Sequence, residues 1–232
     1  MELSSVAFIP DGNRRYAVRN GISLAESYAL GTQKAWDVVK WLSDYPKIRV
    51  GTFYTLSLEN LTRKKSELKL LFKIFEKQLD KVEGNELLEE HQVKLNFVGR
   101  TDLLPKIVQD KIAKAEKYTE KFSDKTVNLA IGYNGRTEIV DAAKAIAQKF
   151  ARGKISLDQI NEDSFKDYLY PGSFDPDMII RTSGTQRLSG FLTYQSVYSE
   201  LYFCDKFWPE FSRTDLDNAI ADYDERQRRF GK

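Results

Sequence analysis

The chain has 232 residues, enough for one well-buried domain or at most two small ones. Its 36 basic and 34 acidic residues leave a net charge of +2, far from the positive excess of a nonspecific nucleic-acid binder, so no nucleic-acid partner is expected. One cysteine and one histidine exclude an intrachain disulfide and a Cys/His zinc cluster.

In chain order, Val6, Ala7, Phe8 and Ile9 read as a short buried strand. Pro10, Asp11, Gly12, Asn13, Arg14, Arg15 and Tyr16 follow. A carboxylate placed directly after a strand can hold magnesium against a diphosphate, because magnesium takes one or two carboxylates and fills its shell with phosphate and water. Gly12 permits close backbone approach, and Arg14 and Arg15 can donate charge-assisted hydrogen bonds to phosphate. An Asp-Gly turn beside two solvated arginines accounts for the same residues without a ligand.

A second apolar run, 48–56, precedes Ser57, Asn60 and Arg63, which recur every three residues. On a first helical turn they share one direction and can position a substrate; a cap and a surface arginine explain them equally. Helical periodicity then fills 64–90, where Leu68, Leu71, Phe72, Phe75, Leu79 and Val82 form an apolar stripe. That stripe suits an ordinary sheet-covering helix or the wall of an elongated apolar pocket. Apolar runs at 93–98, 126–131, 178–180 and 191–194 alternate with helical spans 105–122 and 136–151. Pro105 is placed to open one helix and Gly153 to close another. The pattern predicts an α/β fold, a single domain with a central, mainly parallel sheet flanked by helices.

Residues 152–176 read as a long connection inside that domain. Arg181, Thr182, Ser183 and Gly184, with Arg187 and Ser189, follow the run at 178–180 and make a diphosphate clamp without a Walker lysine. Glu200 lies among apolar residues and needs a partner, a metal or solvent. Cys204, in an aromatic stretch, reads as a buried structural thiol. A final helix is predicted over 214–230, with Arg226, Arg228 and Arg229 at its basic end. No apolar run approaches the ~20 residues that cross a bilayer, and the amino terminus lacks a signal-peptide pattern.

The ordered set PDGNRRYA at 10–17, SLEN at 57–60 with Arg63, NLAIGYNGRTEIVDA at 128–142, RTSG at 181–184, SELYF at 199–203, WPEF at 208–211 and RQRRFG at 226–231 resembles the cis-prenyltransferase family. That family includes undecaprenyl and dehydrodolichyl diphosphate synthases, and the likeness runs from Val6 to Gly231. It implies magnesium-dependent condensation of isopentenyl diphosphate with an allylic prenyl diphosphate, in a sheet-based fold holding an apolar tunnel. The resemblance casts Asp11 as the magnesium-diphosphate aspartate. Gly12, Asn13 and Arg15 stand around the allylic diphosphate, beside Arg14 and Tyr16. Ser57 and Asn60 orient the condensation, and Arg63 supports diphosphate binding. Arg181, Arg187 and Ser189 clamp isopentenyl diphosphate, with Glu200 as a metal-associated carboxylate. Arg229 and Gly231 match an Arg-x-Gly motif that reaches across a homodimer, so the 214–232 helix and tail are expected at its interface. The expected location is the cytoplasm, with peripheral membrane contact through the lipid product.

Four positions depart from the family pattern. Leu24 and Tyr28 stand where arginine and histidine are usual, Leu61 replaces a tryptophan, and Thr185 replaces an acidic residue. Leu24 cannot bind phosphate, whereas Tyr28 is expected to bind substrate as a hydrogen-bond donor, through a phenol of ordinary pKa about 10. The changes cluster where the allylic substrate enters. An unusual allylic substrate or acceptor, or a noncatalytic prenyl-diphosphate-binding subunit, are the alternatives.

Overall fold

A computed structural model describes residues 2–170 and 174–226. Among them, six strands form one sheet: β1 (Ser5–Ile9), β2 (Val50–Ser57), β3 (Val93–Val98), β4 (Lys125–Tyr133), β5 (Met178–Arg181) and β6 (Glu200–Phe203). Their spatial order is β3-β4-β2-β1-β5-β6, and every pairing is parallel. The helices are α1 (Asn13–Asn20), α2 (Leu24–Ser43), α3 (Lys65–Leu79), α4 (Glu86–Glu90), α5 (Lys106–Thr119), α6 (Gly135–Ala151), α7 (Glu162–Lys166) and α8 (Arg213–Glu225).

A parallel sheet is covered on both faces, and alternation along its strands divides the core. Val6 and Phe8 of β1 and Met178 and Ile180 of β5 join Val38 and Leu42 of α2 and Leu216 and Ala219 of α8. Ala7, Ile9 and Ile179 point the other way, into a cluster with Phe191 and Leu192. A third cluster gathers Tyr28, Leu71, Val108 and Ile112 from α2, α3 and α5 over Leu56 and Ile131.

Three expected elements differ. The run at 191–194 is a set of turns, not a strand, and the sixth strand is Glu200–Phe203. Phe191 and Leu192 are fully buried without sheet pairing, and a short apolar run does not distinguish these cases. The span 64–90 is two helices, broken after Leu79; Gly84 takes a φ of +71° and Asn85 caps α4 by accepting from the Leu88 N–H. The last described helix ends at Glu225, and Arg228 and Arg229 lie outside the described residues. Residues 13–43 form two helices without a matching expectation. The local sign is a capping box, in which Ser23 Oγ accepts from the Glu26 N–H at 3.2 Å and Glu26 Oε2 from the Ser23 N–H at 2.8 Å.

The strand order positions the site. β1 leads on to β2 on one side of it, whereas its other neighbour β5 leads on to β6 in the opposite direction. A crevice opens outside the carboxyl ends of parallel strands at such a reversal. The segments after Ile9 and after Arg181 stand there.

Candidate active site

Ile9 pairs with Arg181 across β1 and β5, so both basic loops leave the same end of the sheet. Asp11 Oδ2 accepts from Arg181 Nη2 at 2.8 Å, and its Oδ1 accepts from Arg15 Nη2 at 3.1 Å. Thr182 ties the loops together: its hydroxyl accepts from the Asp11 N–H at 2.9 Å and donates to the Asp11 carbonyl at 2.7 Å. The Trp208 N–H donates to the same carbonyl at 2.9 Å. Arg181 is buried, and its Nη1 donates to Ser189 Oγ at 2.9 Å and to the Arg187 carbonyl. Arg15 Nη2 donates to Ser183 Oγ at 2.6 Å. Burial pushes the Asp11 carboxyl up, but the hydrogen bond and charge of Arg181 and the charge of Arg15 outweigh it, leaving the pKa below the ordinary aspartate value. Gly12 has a φ of +104°, and a Cβ there would stand 2.7 Å from Phe207 Cδ1. The segment 207–211 therefore braces the Asp11 loop from behind.

Ser57 ends β2 and Asn60 sits in a 3-10 turn, Glu59–Thr62. Ser57 Oγ accepts from the Asn60 N–H at 3.2 Å and from Asn60 Nδ2 at 2.8 Å. Arg63 turns toward α2, donating to the Tyr28 hydroxyl at 2.9 Å and to Glu67 Oε1 at 3.0 Å. The Tyr28 hydroxyl donates to the same Glu67 oxygen at 2.7 Å. Burial and then this bond to a carboxylate push the Tyr28 pKa up to about 12, so it is a neutral phenol at working pH. Tyr28 thus fills the histidine-like position as a hydrogen-bonding brace for Arg63.

These groups form the mouth of a cavity of about 1070 Å³. Asp11, Asn13, Arg14, Arg15, Ser57, Asn60, Arg63, Arg181, Arg187 and Ser189 line it, as does Gly12. Behind the mouth the wall becomes apolar. Tyr28, Ala35 and Val39 line it from α2, Leu71, Ile74 and Leu79 from α3, and Leu129 and Val127 from β4. Tyr28 and Val39 are eleven residues apart on α2, so about 16 Å of that helix, at 1.5 Å per residue, separates these two lining residues. Trp36 Nε1 donates to Gln78 Oε1 at 2.9 Å across this space, a second polar contact between α2 and α3 besides that of Tyr28 with Glu67.

Tyr16 does not line the cavity; its ring lies under the Arg19 guanidinium at 5.9 Å. Glu200 is not brought to Asp11 within the chain. It opens β6 opposite Met178, at the other end of β5 from Arg181, and its Oε2 accepts from Arg226 Nη1 at 2.8 Å. Arg229 and Gly231 lie outside the described residues. Sequence reasoning placed Thr182 in the clamp but not as the tie between the two loops, and it missed Trp36, Gln78, Phe207 and Trp208 as site-forming residues. Glu67 carried a readable signal, four residues after Arg63 at helical spacing.

A family model described as putative undecaprenyl diphosphate synthase matches residues 9–231. This chain belongs to that family, the cis-prenyltransferases. A synthase from Methanocaldococcus jannaschii, "tritrans,polycis-undecaprenyl-diphosphate synthase (geranylgeranyl-diphosphate specific)", is 44% identical over 230 residues, covering 98% of this chain and 82% of its own. A protein of the same description from Methanopyrus kandleri is 43% identical over 228 residues, covering 98% and 84%. Among solved structures, lavandulyl diphosphate synthase from Lavandula x intermedia, in complex with dimethylallyl diphosphate, superposes with a TM-score of 0.93 at 33% identity, covering 100% and 99%. A probable undecaprenyl diphosphate synthase from Campylobacter jejuni gives a TM-score of 0.79 at 29% identity over 100% of both chains. The enzyme condenses isopentenyl diphosphate with an allylic prenyl diphosphate to give a polyprenyl diphosphate. Among the described residues, no helix is long and apolar enough to cross a membrane.

Proposed function

We propose that this cis-prenyltransferase uses geranylgeranyl diphosphate as its allylic primer and holds the growing chain in the apolar cavity. One observation carries the reading: a mouth with arginines on two loops opens directly into a deep apolar space. At about 1070 Å³ that space exceeds the range of about 300–1,000 Å³ usual for small-molecule sites. The primer specificity printed for the archaeal relatives supports the same choice. Residues 1–232 act as one catalytic domain in this reading, since a single sheet carries both loops.

Arg181, Arg187 and Ser189 hold the isopentenyl diphosphate, and Asn13, Arg15 and the backbone at Gly12 hold the allylic diphosphate. Arg14 lies beside them, and Arg63, braced by Tyr28 and Glu67, faces the reacting centre. Asp11 fits a magnesium ion held chiefly by diphosphate oxygens, for which one carboxylate suffices. Among the described residues no group of three or more His, Cys, Asp or Glu gathers there. When bound, magnesium neutralises charge on the diphosphate.

The allylic carbon–oxygen bond breaks, and the arginines stabilise the charge developing on the departing diphosphate. The isopentenyl double bond forms the new carbon–carbon bond, and a proton leaves to close the cis alkene. A phosphate oxygen accepts that proton while Ser57 and Asn60 hold the parts in place. The apolar walls exclude water from the reactive allylic species.

A homodimer belongs to the proposal, with Arg229 and Gly231 reaching the partner's site and Glu200 near the interface. Its support is the position of β6 at the edge of the sheet and the turn before it, where Val197 is 70% and Tyr198 66% exposed. Coupling of short allylic diphosphates is the second reading, favoured by the likeness to the lavandulyl structure; it leaves the deep cavity unused. Purified protein with labelled isopentenyl diphosphate, magnesium and allylic primers of ten, fifteen and twenty carbons decides between them. Long cis products, made best from the twenty-carbon primer, are expected. Short branched products, or none from folded protein, would overturn the proposal.

A further inference from the structure

Helix α3 has two faces of different chemistry. Its inner face lines the cavity through Leu71, Ile74, Phe75, Gln78 and Leu79. Its outer face carries Lys65, Lys69, Lys73 and Lys77, one every four residues and all exposed. They span about 18 Å of helix at 1.5 Å per residue.

None of these four lysines makes an ion pair within the described residues; Lys144 and Lys149 of α6 share that, and what sets the α3 lysines apart is that all four stand in one row on a single helix face. On the adjacent α5, each of four lysines has an acidic partner: Lys106–Asp110 at 2.8 Å, Lys114–Glu83 at 2.6 Å, Lys111–Asp80 and Lys117–Glu120. The carboxylates of α3 do not neutralise the stripe. Glu67 turns inward to Arg63, and Glu76 alone lies in the groove with the lysines. In a chain of net charge +2 this is a local concentration of positive charge.

Apolar side chains lie between the lysines. Half-buried Leu68 and Phe72 share a shallow groove with Lys65, Lys69, Lys73 and Pro105. Leu103 and Ile107, two residues either side of Pro105, are 51% and 52% exposed. Cations around a small apolar surface match the anionic headgroups and upper acyl region of a bilayer. We propose that the outer face of α3, with the 103–107 turn, docks the enzyme onto an anionic membrane. One helix then separates the prenyl chain from the bilayer that receives it, and this second statement rests on the proposed polyprenyl product.

The test compares binding of the full chain to vesicles of phosphatidylcholine alone and of phosphatidylcholine with phosphatidylglycerol. The wild type is expected to bind the anionic vesicles, to release with salt and to leave neutral ones unbound. K69E/K73E should weaken binding by at least about tenfold. The neutral pair K69Q/K73Q should fall between. K144E/K154E, the same charge change at exposed sites on and beyond α6, should bind as the wild type does. Turnover in vesicle-free solution should be unchanged in all variants, which certifies folding; it reports on the polyprenyl reading independently of docking. No wild-type binding to anionic vesicles, or equal loss in both charge-reversal pairs, would overturn the proposal. So would heparin bound through the same lysines in preference to the vesicles, which would assign the face to a soluble polyanion.

Discussion

Gly31 offers a way to perturb the mouth of the cavity without touching a charged group. It lies inside α2, where alanine is favoured over glycine by roughly 1 kcal/mol of helix propensity. A Cβ at this position would stand 2.2 Å from Asn13 Oδ1, and 3.2 Å from both Asn13 Cγ and Trp208 Cδ1. The first contact is impossible, so a neighbour must shift. Trp208 is buried, its Nε1 donates to the Gly31 carbonyl at 2.7 Å, and it stacks on Phe211. The Asn13 amide is held more weakly: Nδ2 reaches the Pro10 carbonyl at 3.4 Å, and Oδ1 is buried with no hydrogen-bond partner among the described residues. Asn13 therefore rotates, at a cost on the order of 1 kcal/mol, which the helix propensity offsets. G31A should keep its melting temperature within a few degrees while kcat/KM falls at least about tenfold, equivalent to about 1.4 kcal/mol of transition-state stabilisation. N13A should show a similar loss, and G31A/N13A should be no worse than N13A alone, because both changes remove the same amide. Full activity in G31A, or additive losses in the double variant, would refute the argument.

Asp11→Ala should lower magnesium-dependent turnover by about a hundredfold or more, with the circular dichroism spectrum retained; near-normal turnover would remove Asp11 from the site. Because the Asp11 pKa is depressed, its stabilising interactions are complete above the unfolded value of about 3.9 and are lost as pH falls through the lower folded value. Urea midpoints should thus part from those of D11N above about pH 4 and converge in stronger acid. Tyr28, raised to about 12, should leave no inflection in the pH–rate profile at neutral pH, whereas Y28H should introduce one near about 6.5. Glu138 is fully buried and accepts from the Tyr133 hydroxyl at 2.5 Å, the Tyr170 N–H at 3.0 Å and Gln195 Nε2 at 3.0 Å. E138A strands these donors and should cost about 3 kcal/mol, read as a fall of roughly 6–12 °C in Tm. Val82→Phe adds bulk to the cavity wall just past α3 and should shorten the products without slowing the first addition; unchanged product length would place the growing chain elsewhere.

The amino-acid sequence by itself determined the chemistry of the two loops. Asp11 with Arg15, and Arg181 with Ser189, each follow an apolar run within a few residues, so strand, turn and charge are read together. It also determined the parallel sheet, since β1 is apolar without a break from Val6 to Ile9 and β5 from Met178 to Ile180, as strands covered on both faces read. Helix breaks at Gly84 and the capping box at Ser23 were equally local, but are easily missed beneath a continuous apolar stripe. Tertiary structure alone decided which distant groups meet. Asp11 and Arg181 are 170 residues apart and are joined by strand register. Tyr28, Arg63 and Glu67 converge because α2 packs on α3, an arrangement that helical periodicity leaves open. The burial of Phe191 and Leu192 outside any strand was likewise decided by what packs over them. Glu200 makes the same point in reverse: its apolar neighbours marked it as a group needing a partner, and packing gave it Arg226, just past α8, at the start of β6 and away from the loops. Local propensity and charge are properties of neighbouring residues, whereas a site assembled from strand ends and helix faces depends on contacts that no sequence window contains.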